Sequence, residues 1–359
     1  MRLRYLDHES ALGDAPTLAP TAAVIGRAAV GARLTLAAYA TIRADGERIE
    51  VGDDAYFGER ASVHIVDSRV GTVIGDDLTA GRYALIHGCT VGNRVVVGEG
   101  AAVMDEATVG DGAVIAADAI VAPGKKLAGG WLYAGVPAQP VRELAPTEAA
   151  AAAASIRAGR PEGIVRSAGL PPLTAEAYLP PDADAGAGPL YPWHGRSPRI
   201  AQHAYVAPTA ALVGDVTVGE DAGVYFGCVV SAGDGVVAIG PRANVQDNSF
   251  LITTRARGEL RLAAGVTIGH NVQMGSGSFG QDALIGMMSR VGDGCVVEDN
   301  GCIAAGAWVT PGTVVESGWI WAGRPARRFR ELRPAERVEF ARGRDVYIGY
   351  GSAYRGALR

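Results

Sequence analysis

The sequence predicts an all-β protein made of two tandem parallel β-helices, each followed by a C-terminal α-helix. One observation is a period of six among aliphatic residues, which recur at Val91, Val97, Val103 and Val109. A second is the abundance of glycine, whose 50 residues are spread along the 359-residue chain and indicate many tight turns. A third is an internal match between the two halves of the chain.

The six-residue period indicates the hexapeptide repeat, in which an aliphatic residue is followed by a small one. The aliphatic side chain points into a narrow core, and a following glycine, as in Val91-Gly92, permits the turn. Three hexapeptides make one triangular coil, and coils stack at a strand spacing of roughly 4.8 Å. A sandwich of short strands would instead require period-two alternation and hairpin turns, and neither pattern dominates.

The chain matches itself without gaps at a separation of 188 residues, as between Pro20 and Pro208 or Gly98 and Gly286. Shared low complexity would not keep one register over such a distance, so we predict a tandem duplication. We call the residue 188 positions away in the other copy the counterpart. The predicted organisation is a β-helix domain with its helix at 1–159, a linker at 160–195 and a second such domain at 196–359.

The two helices are predicted from the segments that follow each repeat region. Residues 146–158 are rich in alanine, with Thr147 at the N-cap position and Gly159 just beyond the end. The second copy has the matching pattern at residues 334–346, so we expect an equivalent helix there.

Composition excludes several classes of function. The net charge of −5 argues against binding nucleic acid, because neutralising phosphates requires a basic surface. No apolar run is long enough to span a membrane. The charged N-terminus lacks the apolar core of a signal peptide, and the four cysteines lack disulfide or metal-binding spacing. We therefore expect a cytoplasmic protein with reduced thiols.

Both copies resemble the γ-class carbonic anhydrase family of hexapeptide proteins, over about residues 18–145 and 206–333. The resemblance rests on four short segments and on an Ala-Gly-x-Pro-Ala segment that ends both copies. The four segments are Arg43-Ala44-Asp45, Ile86-His87-Gly88-Cys89, Asn244-Val245-Gln246-Asp247 and Thr267-Ile268-Gly269-His270. The resemblance implies a left-handed coil and a homo-oligomer built by packing β-helices together.

The family binds zinc through three histidines, and the resemblance assigns these positions in each copy. One β-helix of the family gives the first and third histidines, and its neighbour gives the second. Copy one has the first and third, His64 and His87, whereas copy two has only the second, His270. The other three ligand positions are occupied by Arg82, Ile252 and Gly275.

These losses are complementary, so one interface between the copies would keep a full set of ligands. We predict one composite metal site formed by His64, His87 and His270. Three neutral imidazoles suit Zn²⁺ with an open position, and Fe²⁺ or Co²⁺ are alternatives. Such an ion would lower the pKa of a coordinated water toward about 7. Random decay of a lost site, with no metal, is the alternative.

The resemblance also implies other site residues. Arg43, Asp45 and Glu59 are the predicted catalytic residues of copy one. Gln246 and Asp247 are interpreted as remnants of a second site, because they precede the first ligand position that copy two has lost. Arg82 is expected either to pair with a carboxylate or to bind an anionic substrate group.

The function implied is a metalloenzyme that hydrates or hydrolyses a small carbonyl substrate. The substrate is CO₂ by the family's default, and a retasked biosynthetic lyase or hydrolase is the variant of this hypothesis. Two other classes are kept: a metal-free structural or assembly protein, and an acyltransferase like other hexapeptide proteins. A measurement of metal content would distinguish the metal-free assembly protein from the metalloenzyme. A test of acyl-CoA binding would distinguish the acyltransferase from the metalloenzyme.

Overall fold

A computed structural model describes residues 1–145, 147–159 and 189–357. The chain forms two compact units, Met1–Ala168 and Gly169–Arg359. Each unit consists mainly of short parallel strands stacked in successive coils, which confirms the predicted parallel β-helix fold.

The described strands of unit 1 form one 12-stranded and one 8-stranded sheet. In chain order, β1 to β20 are Arg2–Leu3, Ala11–Leu12, Thr17–Leu18, Ala23–Val30, Thr35–Leu36, Thr41–Val51, Tyr56–Phe57, Ser62–His64, Thr72–Ile74, Thr79–Ala80, Leu85–His87, Thr90–Val91, Val96–Val97, Ala102–Val103, Thr108–Val109, Val114–Ile115, Ile120–Val121, Lys126–Leu127, Trp131–Gly135 and Ala138–Glu143.

The described strands of unit 2 form three sheets of seven, seven and eight strands. In chain order, β21 to β42 are Leu190–Tyr191, Arg199–Ile200, Tyr205–Val206, Ala211–Val213, Val216–Val218, Gly223–Val224, Val229–Ser231, Val237–Ile239, Asn244–Val245, Phe250–Ile252, Leu260–Leu262, Thr267–Ile268, Gln273–Met274, Gly277–Phe279, Leu284–Ile285, Arg290–Val291, Cys295–Val297, Cys302–Ile303, Trp308–Val309, Val314–Val315, Trp319–Gly323 and Ala326–Glu331.

The coil length agrees with three hexapeptides in the regular part of unit 1. Thr90 pairs with Thr108, and Val96 pairs with Val114, so strands 18 residues apart are neighbours. All six periodic aliphatic residues of this region are buried, as predicted: Val91, Val97, Val103, Val109, Ile115 and Val121. Each coil therefore buries its aliphatic residues against the coils above and below it.

Each unit also contains coils that are longer than 18 residues. In unit 1, β8 pairs with β11, and His64 lies opposite His87, 23 residues later. In unit 2, Asn244 of β29 pairs with Thr267 of β32, again 23 residues later. These longer coils carry the predicted ligands, so their length decides which residues become neighbours.

Among the described residues, the first helix, α1, runs over Glu148–Arg157, close to its predicted bounds. Thr147 occupies the N-cap position without a side-chain capping bond; the Glu148 carboxylate instead accepts a 2.6 Å hydrogen bond from the Ala145 amide. Gly159 follows with a positive φ of 69°, as expected at a helix end.

The second helix, α2, runs over Pro334–Ala357 and is 24 residues long, well beyond the predicted end at residue 346. The predicted end was taken from the helix of copy one. It was too early because the sequence after Tyr347 differs from the sequence after its counterpart, Gly159. Within the described residues, neither helix combines the length and the apolar character that crossing a membrane requires.

Most of the predicted linker lies outside the described residues, and its last part is not a linker. Leu190–Tyr191 is a strand, β21, that pairs with β24. It is the counterpart of β1, which pairs with β4 in the same way in unit 1. The described strands of unit 2 therefore include one that precedes residue 196, because the repeat extends further toward the N-terminus than the sequence match indicated.

The four cysteines are buried free thiols, as predicted. Burial raises the pKa of the Cys302 thiol to about 12. The thiol therefore stays protonated at neutral pH and serves as a small core residue.

Candidate metal centre

In unit 1, the predicted ligands lie in one column that crosses successive coils. The strands β6, β8, β11 and β14 are consecutive neighbours in one sheet. Asp45 lies within β6, His64 ends β8, His87 ends β11, and Asp105 follows β14. Parallel pairing in register places His64 opposite His87 at the strand spacing of roughly 4.8 Å, while Asp45 and Asp105 lie just beyond the paired residues of their strands.

The two histidines of this column face each other. His64 Nδ1 lies 3.3 Å from His87 Nε2, and both side chains are buried. The far nitrogen of each ring is held by a carboxylate: Asp45 Oδ1 lies 2.9 Å from His64 Nε2, and Asp105 Oδ1 lies 2.5 Å from His87 Nδ1. Histidine ligands of metals commonly have such a carboxylate on their second nitrogen.

This arrangement fits a shared cation. If each neutral ring donates its N–H to its carboxylate, two nitrogen lone pairs face each other across 3.3 Å, which is repulsive without a positive charge beside them. Two nitrogens bound tetrahedrally to one zinc ion at roughly 2.0–2.1 Å lie about 3.3–3.4 Å apart. The spacing and the outer carboxylates therefore both suit a metal such as Zn²⁺.

Arg43 and Asp45 lie behind His64. The Arg43 guanidinium donates to Asp45 Oδ2, while Asp45 Oδ1 is bonded to His64 Nε2. The side chains of Arg43 and Asp45 have no exposed surface. Both residues therefore contact His64 or its partner carboxylate, and their catalytic role stays a prediction.

A threonine and a glycine fix the ends of the two histidine strands. Thr72 Oγ1 donates to the His64 carbonyl at 2.5 Å and accepts from the Gly88 amide at 3.0 Å. Gly88 has a φ of +52°, and a Cβ there would lie 2.3 Å from Val66 Cγ2. The glycine after His87 is therefore required by both conformation and space.

In unit 2, His270 lies on the turn after β32 and is fully buried. Its Nδ1 is 3.3 Å from Asp247 Oδ2. Gln246, the neighbour of Asp247, is also buried; its Nε2 donates to Asn244 Oδ1, while its Oε1 has no hydrogen-bond partner within the part of the chain that the structure describes.

This placement differs from the interpretation that links Gln246 and Asp247 to the first ligand position of copy two. The prediction compared them with position 252, which is near in sequence. The pairing of β29 with β32 instead places Asp247 beside His270. In a β-helix a residue can therefore contact a residue of the next coil that is far from it in sequence.

A tyrosine that the sequence analysis missed also contacts His270. Tyr347 of α2 has its hydroxyl 3.0 Å from His270 Nε2. Its signal was present in the sequence as Tyr347, Tyr350 and Tyr354, whose spacing of three and four residues forms one face of a helix. Asp105 and Thr72 were missed as well, because only the coil register brings them to the histidines.

The other two predicted ligand positions of unit 2, Ile252 and Gly275, lie among other contacts. Ile252 is a buried residue at the end of β30, and a Cβ at Gly275 would lie 2.0 Å from Asp293 Oδ1. Asp293 is the counterpart of Asp105, but Arg257 Nε binds its two carboxylate oxygens at 3.0 and 2.9 Å. An ion pair thus replaces the bond to a histidine.

Arg82 and Glu59 lie on another corner of unit 1. Arg82 is exposed, with its guanidinium carbon 6.0 Å from the centre of the Tyr83 ring. Glu59 is on the turn after β7, and its carbonyl accepts from the Tyr83 amide. The pairing of β7 with β10 places Glu59 beside Arg82, not in the column of His64 and His87. Glu59, a predicted catalytic residue, therefore does not lie in the same column as those two histidines.

Comparison with known proteins agrees with the sequence resemblance. A "Gamma carbonic anhydrase 1, mitochondrial" of Arabidopsis thaliana is 32% identical over 164 residues, covering 44% of this chain but only 60% of that protein. A "Carbonic anhydrase" of Geobacillus kaustophilus is 35% identical over 166 residues, covering 46% of this chain and 91% of that protein. No family model matches the chain.

A solved structure of a hexapeptide transferase family protein from Anaplasma phagocytophilum is 33% identical, with a TM-score of 0.45, and covers 46% of this chain and 98% of that one. On the similarity to the Geobacillus protein, the chain belongs to the γ-carbonic anhydrase family of hexapeptide-repeat proteins. His64 and His87 of unit 1 and His270 of unit 2 are each buried, and imidazole nitrogens can bind a metal ion.

Proposed function

We propose that this protein is a metal-dependent lyase of the carbonic anhydrase type, with one metal ion held jointly by His64, His87 and His270. The observation that carries the proposal is the geometry of His64 and His87, whose inner nitrogens are 3.3 Å apart and whose outer nitrogens are held by carboxylates. A buried pair of imidazoles arranged in this way is suited to share a cation.

The third ligand is proposed from the distribution of histidines between the copies. Unit 1 supplies two ligands and has Arg82 at the remaining position, whereas unit 2 supplies only His270. Two imidazoles hold a borderline metal poorly, and three neutral imidazoles with one open position are a common catalytic zinc set. The proposal therefore assigns the two units different roles within a tandem duplication.

Each protein group has a defined task in this proposal. Asp45 and Asp105 accept the outer N–H groups of His64 and His87, so that the inner lone pairs point toward the ion. Arg43 neutralises the buried charge of Asp45. Gln246 offers a buried amide oxygen that can accept a hydrogen bond from a polar group of water or substrate. A bound zinc ion supplies Lewis acidity that makes water nucleophilic near neutral pH.

The proposed substrate is CO₂ or another small carbonyl compound. The Geobacillus and Arabidopsis relatives are named as carbonic anhydrases, and the buried setting of the ligands suits a small, uncharged molecule. We further propose a homo-oligomer, because β-helix faces pack together in the family.

Metal content and CO₂ hydration test this function together. The chain is expressed with zinc in the medium, desalted and analysed by elemental mass spectrometry, and hydration is followed by stopped-flow with a pH indicator. We expect about one metal ion per chain and hydration that a chelator abolishes and zinc restores. Two tightly bound ions per chain would refute the single composite site, and none would favour a metal-free assembly protein.

A further inference from the structure

A β-bulge exposes an apolar side chain at the same place in both units. In unit 1, the pairing of β20 with β19 passes from Arg142 to Pro140 and leaves out Val141. In unit 2, the same irregularity in the pairing of β42 with β41 leaves out Phe329, the counterpart of Val141. Bulges turn a side chain out of the regular ladder, and Val141 and Phe329 are 57% and 67% exposed. Phe329 is therefore an exposed aromatic side chain, and we call it the knob of unit 2.

The knob lies in a basic part of unit 2 that has no equivalent in unit 1. Residues 324–344 contain eight arginines and three glutamates, a net charge of +5, whereas the counterpart segment 136–156 has one arginine and two glutamates, a net charge of −1. Two of these arginines, Arg327 and Arg328, directly precede Phe329. An exposed apolar residue beside positive charges suits a partner surface that combines an apolar hollow with carboxylates.

Arg327 and Arg328 are both placed to meet such a partner. The guanidinium carbon of Arg328 lies 3.4 Å from the centre of the Trp319 ring, and its Nη1 lies 3.9 Å from a Glu316 carboxylate oxygen. The Arg327 guanidinium donates to the Ala326 carbonyl at 2.9 Å. Both arginines are exposed, so their remaining N–H groups can bind the carboxylates of a partner.

The first coils of unit 1 form an open concavity of about 450 Å³ that suits an aromatic ring. Its apolar walls include Leu12 of β2, Val30 of β4 and Val51 of β6, and the exposed Ala11 lies at its edge. A cavity of about 150 Å³ already accommodates benzene, so this concavity has room for a phenylalanine side chain.

The rim of the concavity is acidic. Glu50 lines it, and Asp53 accepts a 2.8 Å hydrogen bond from the Ala32 amide beside it. The side chains of both acids are 49% exposed. The rim carries four carboxylates and two guanidiniums, at Asp14, Glu50, Asp53, Asp54, Arg33 and Arg48. The counterparts of the four acids in unit 2 are uncharged or basic: Gln202, Ala238, Pro241 and Arg242.

We propose that the knob of one chain inserts into the concavity of a second copy of this chain, with Arg327 and Arg328 against the acidic rim. Charge complementarity selects the second copy, because one copy of the duplicated domain has gained the basic surface and the other the acidic one. The contact joins two different surfaces, so it is heterologous and can continue from chain to chain. It is separate from the metal site and from side-by-side packing of β-helices, and its small area makes it a weak contact.

Sedimentation equilibrium of the full chain gives the first test. At low salt we expect the average mass of the wild type to rise with protein concentration, and added salt to reduce the rise. Phe329→Ala should weaken the association roughly 10–100-fold, because the buried ring is lost. Val141→Ala is the matched control, since it shortens the equivalent bulge residue of unit 1, and it should have no effect. A mass that does not depend on concentration, or equal effects of the two variants, would overturn the proposal.

Complementation between two variants tests the heterologous geometry. Ala11→Arg places in the concavity the side chain that unit 2 carries at the counterpart position, Arg199, so the β-helix accepts it there. We expect Ala11→Arg alone to lose the association, because the new guanidinium fills the concavity and repels the basic knob. Mixed with Phe329→Ala, it should form a one-to-one pair, since one variant keeps the knob and the other keeps the concavity. A mixture that forms no such pair would overturn the proposal.

An anionic membrane is the other occupant that a basic and apolar surface could take, and vesicles of phosphatidylglycerol test it. We expect the wild type not to float with these vesicles, because the chain as a whole carries a net charge of −5. Flotation that Phe329→Ala abolishes would assign the knob to a lipid surface and overturn the pairing of two copies.

Discussion

His64 Nδ1 lies 3.3 Å from His87 Nε2, although the two residues are 23 positions apart in the chain. They are register partners at the ends of neighbouring parallel strands, and carboxylates hold their outer nitrogens. The contact depends on the length of one coil.

Alanine substitution of each proposed ligand should remove the metal. We expect His64→Ala, His87→Ala and His270→Ala each to lower zinc affinity more than about a hundredfold, since losing only an outer partner costs roughly 10–100-fold. His203→Ala is the control, because His203 is exposed and lies 3.2 Å from Glu220 at the surface. Zinc per chain after dialysis measures the effect. Full metal content in His270→Ala would show that the site belongs to unit 1 alone.

Asp105 should matter for metal binding, and its counterpart Asp293 should not. Asp105→Asn replaces the acceptor for His87 Nδ1 with a neutral amide, and we expect zinc affinity to fall roughly 10–100-fold. Asp293→Asn makes the same change where the carboxylate binds Arg257, and we expect wild-type affinity. Equal effects of the two variants in chelator competition would contradict the assignment of Asp105 as an outer partner.

The buried aliphatic residues that recur every six positions should contribute most of the stability of unit 1. Ile115 is fully buried on β16, and Ile115→Ala should lower the free energy of unfolding by about 2–5 kcal/mol through lost burial and a cavity. Val141 is 57% exposed on β20, and Val141→Ala should change it by less than about 0.5 kcal/mol. Urea titration followed by circular dichroism makes the comparison. Similar values for both variants would argue against a continuous core.

The start of α1 should respond to acid through Glu148. The Arg142 guanidinium and the Ala145 amide lower the pKa of Glu148 from 4.5 to about 2. A carboxyl whose folded pKa is depressed stabilises the fold above its unfolded pKa, and this contribution is lost as the pH falls from about 4.5 to about 2.

We therefore expect Glu148→Gln to lower the melting temperature slightly at pH 7, and the difference from wild type to shrink toward pH 3. Thermal scans at several pH values check this. Glu143→Gln is the matched control, since Glu143 is an exposed acid on β20 nearby. If the difference in melting temperature between Glu148→Gln and wild type grew as the pH fell, the predicted direction of the pH dependence would be wrong.

The sequence by itself determined the repeat and the positions of the predicted ligands. The six-residue period of residues such as Val97 and Ile115 identifies the core, because a β-helix buries one aliphatic side chain per hexapeptide. The motif Ile86-His87-Gly88 also identifies the position of His87, which the structure places next to His64. These features are local in sequence, so a pattern of spacing reveals them.

Only the tertiary structure decided which partners surround those ligands. Asp105 reaches His87 across a coil of 18 residues, and Asp247 reaches His270 across a longer coil of 23 residues. Tyr347 reaches His270 because α2 continues past the length that copy one suggested. The physical reason is that the register between coils and the packing of the helix decide which residues of a β-helix become neighbours. The number of residues between two such neighbours can vary while the six-residue sequence pattern within each strand stays the same.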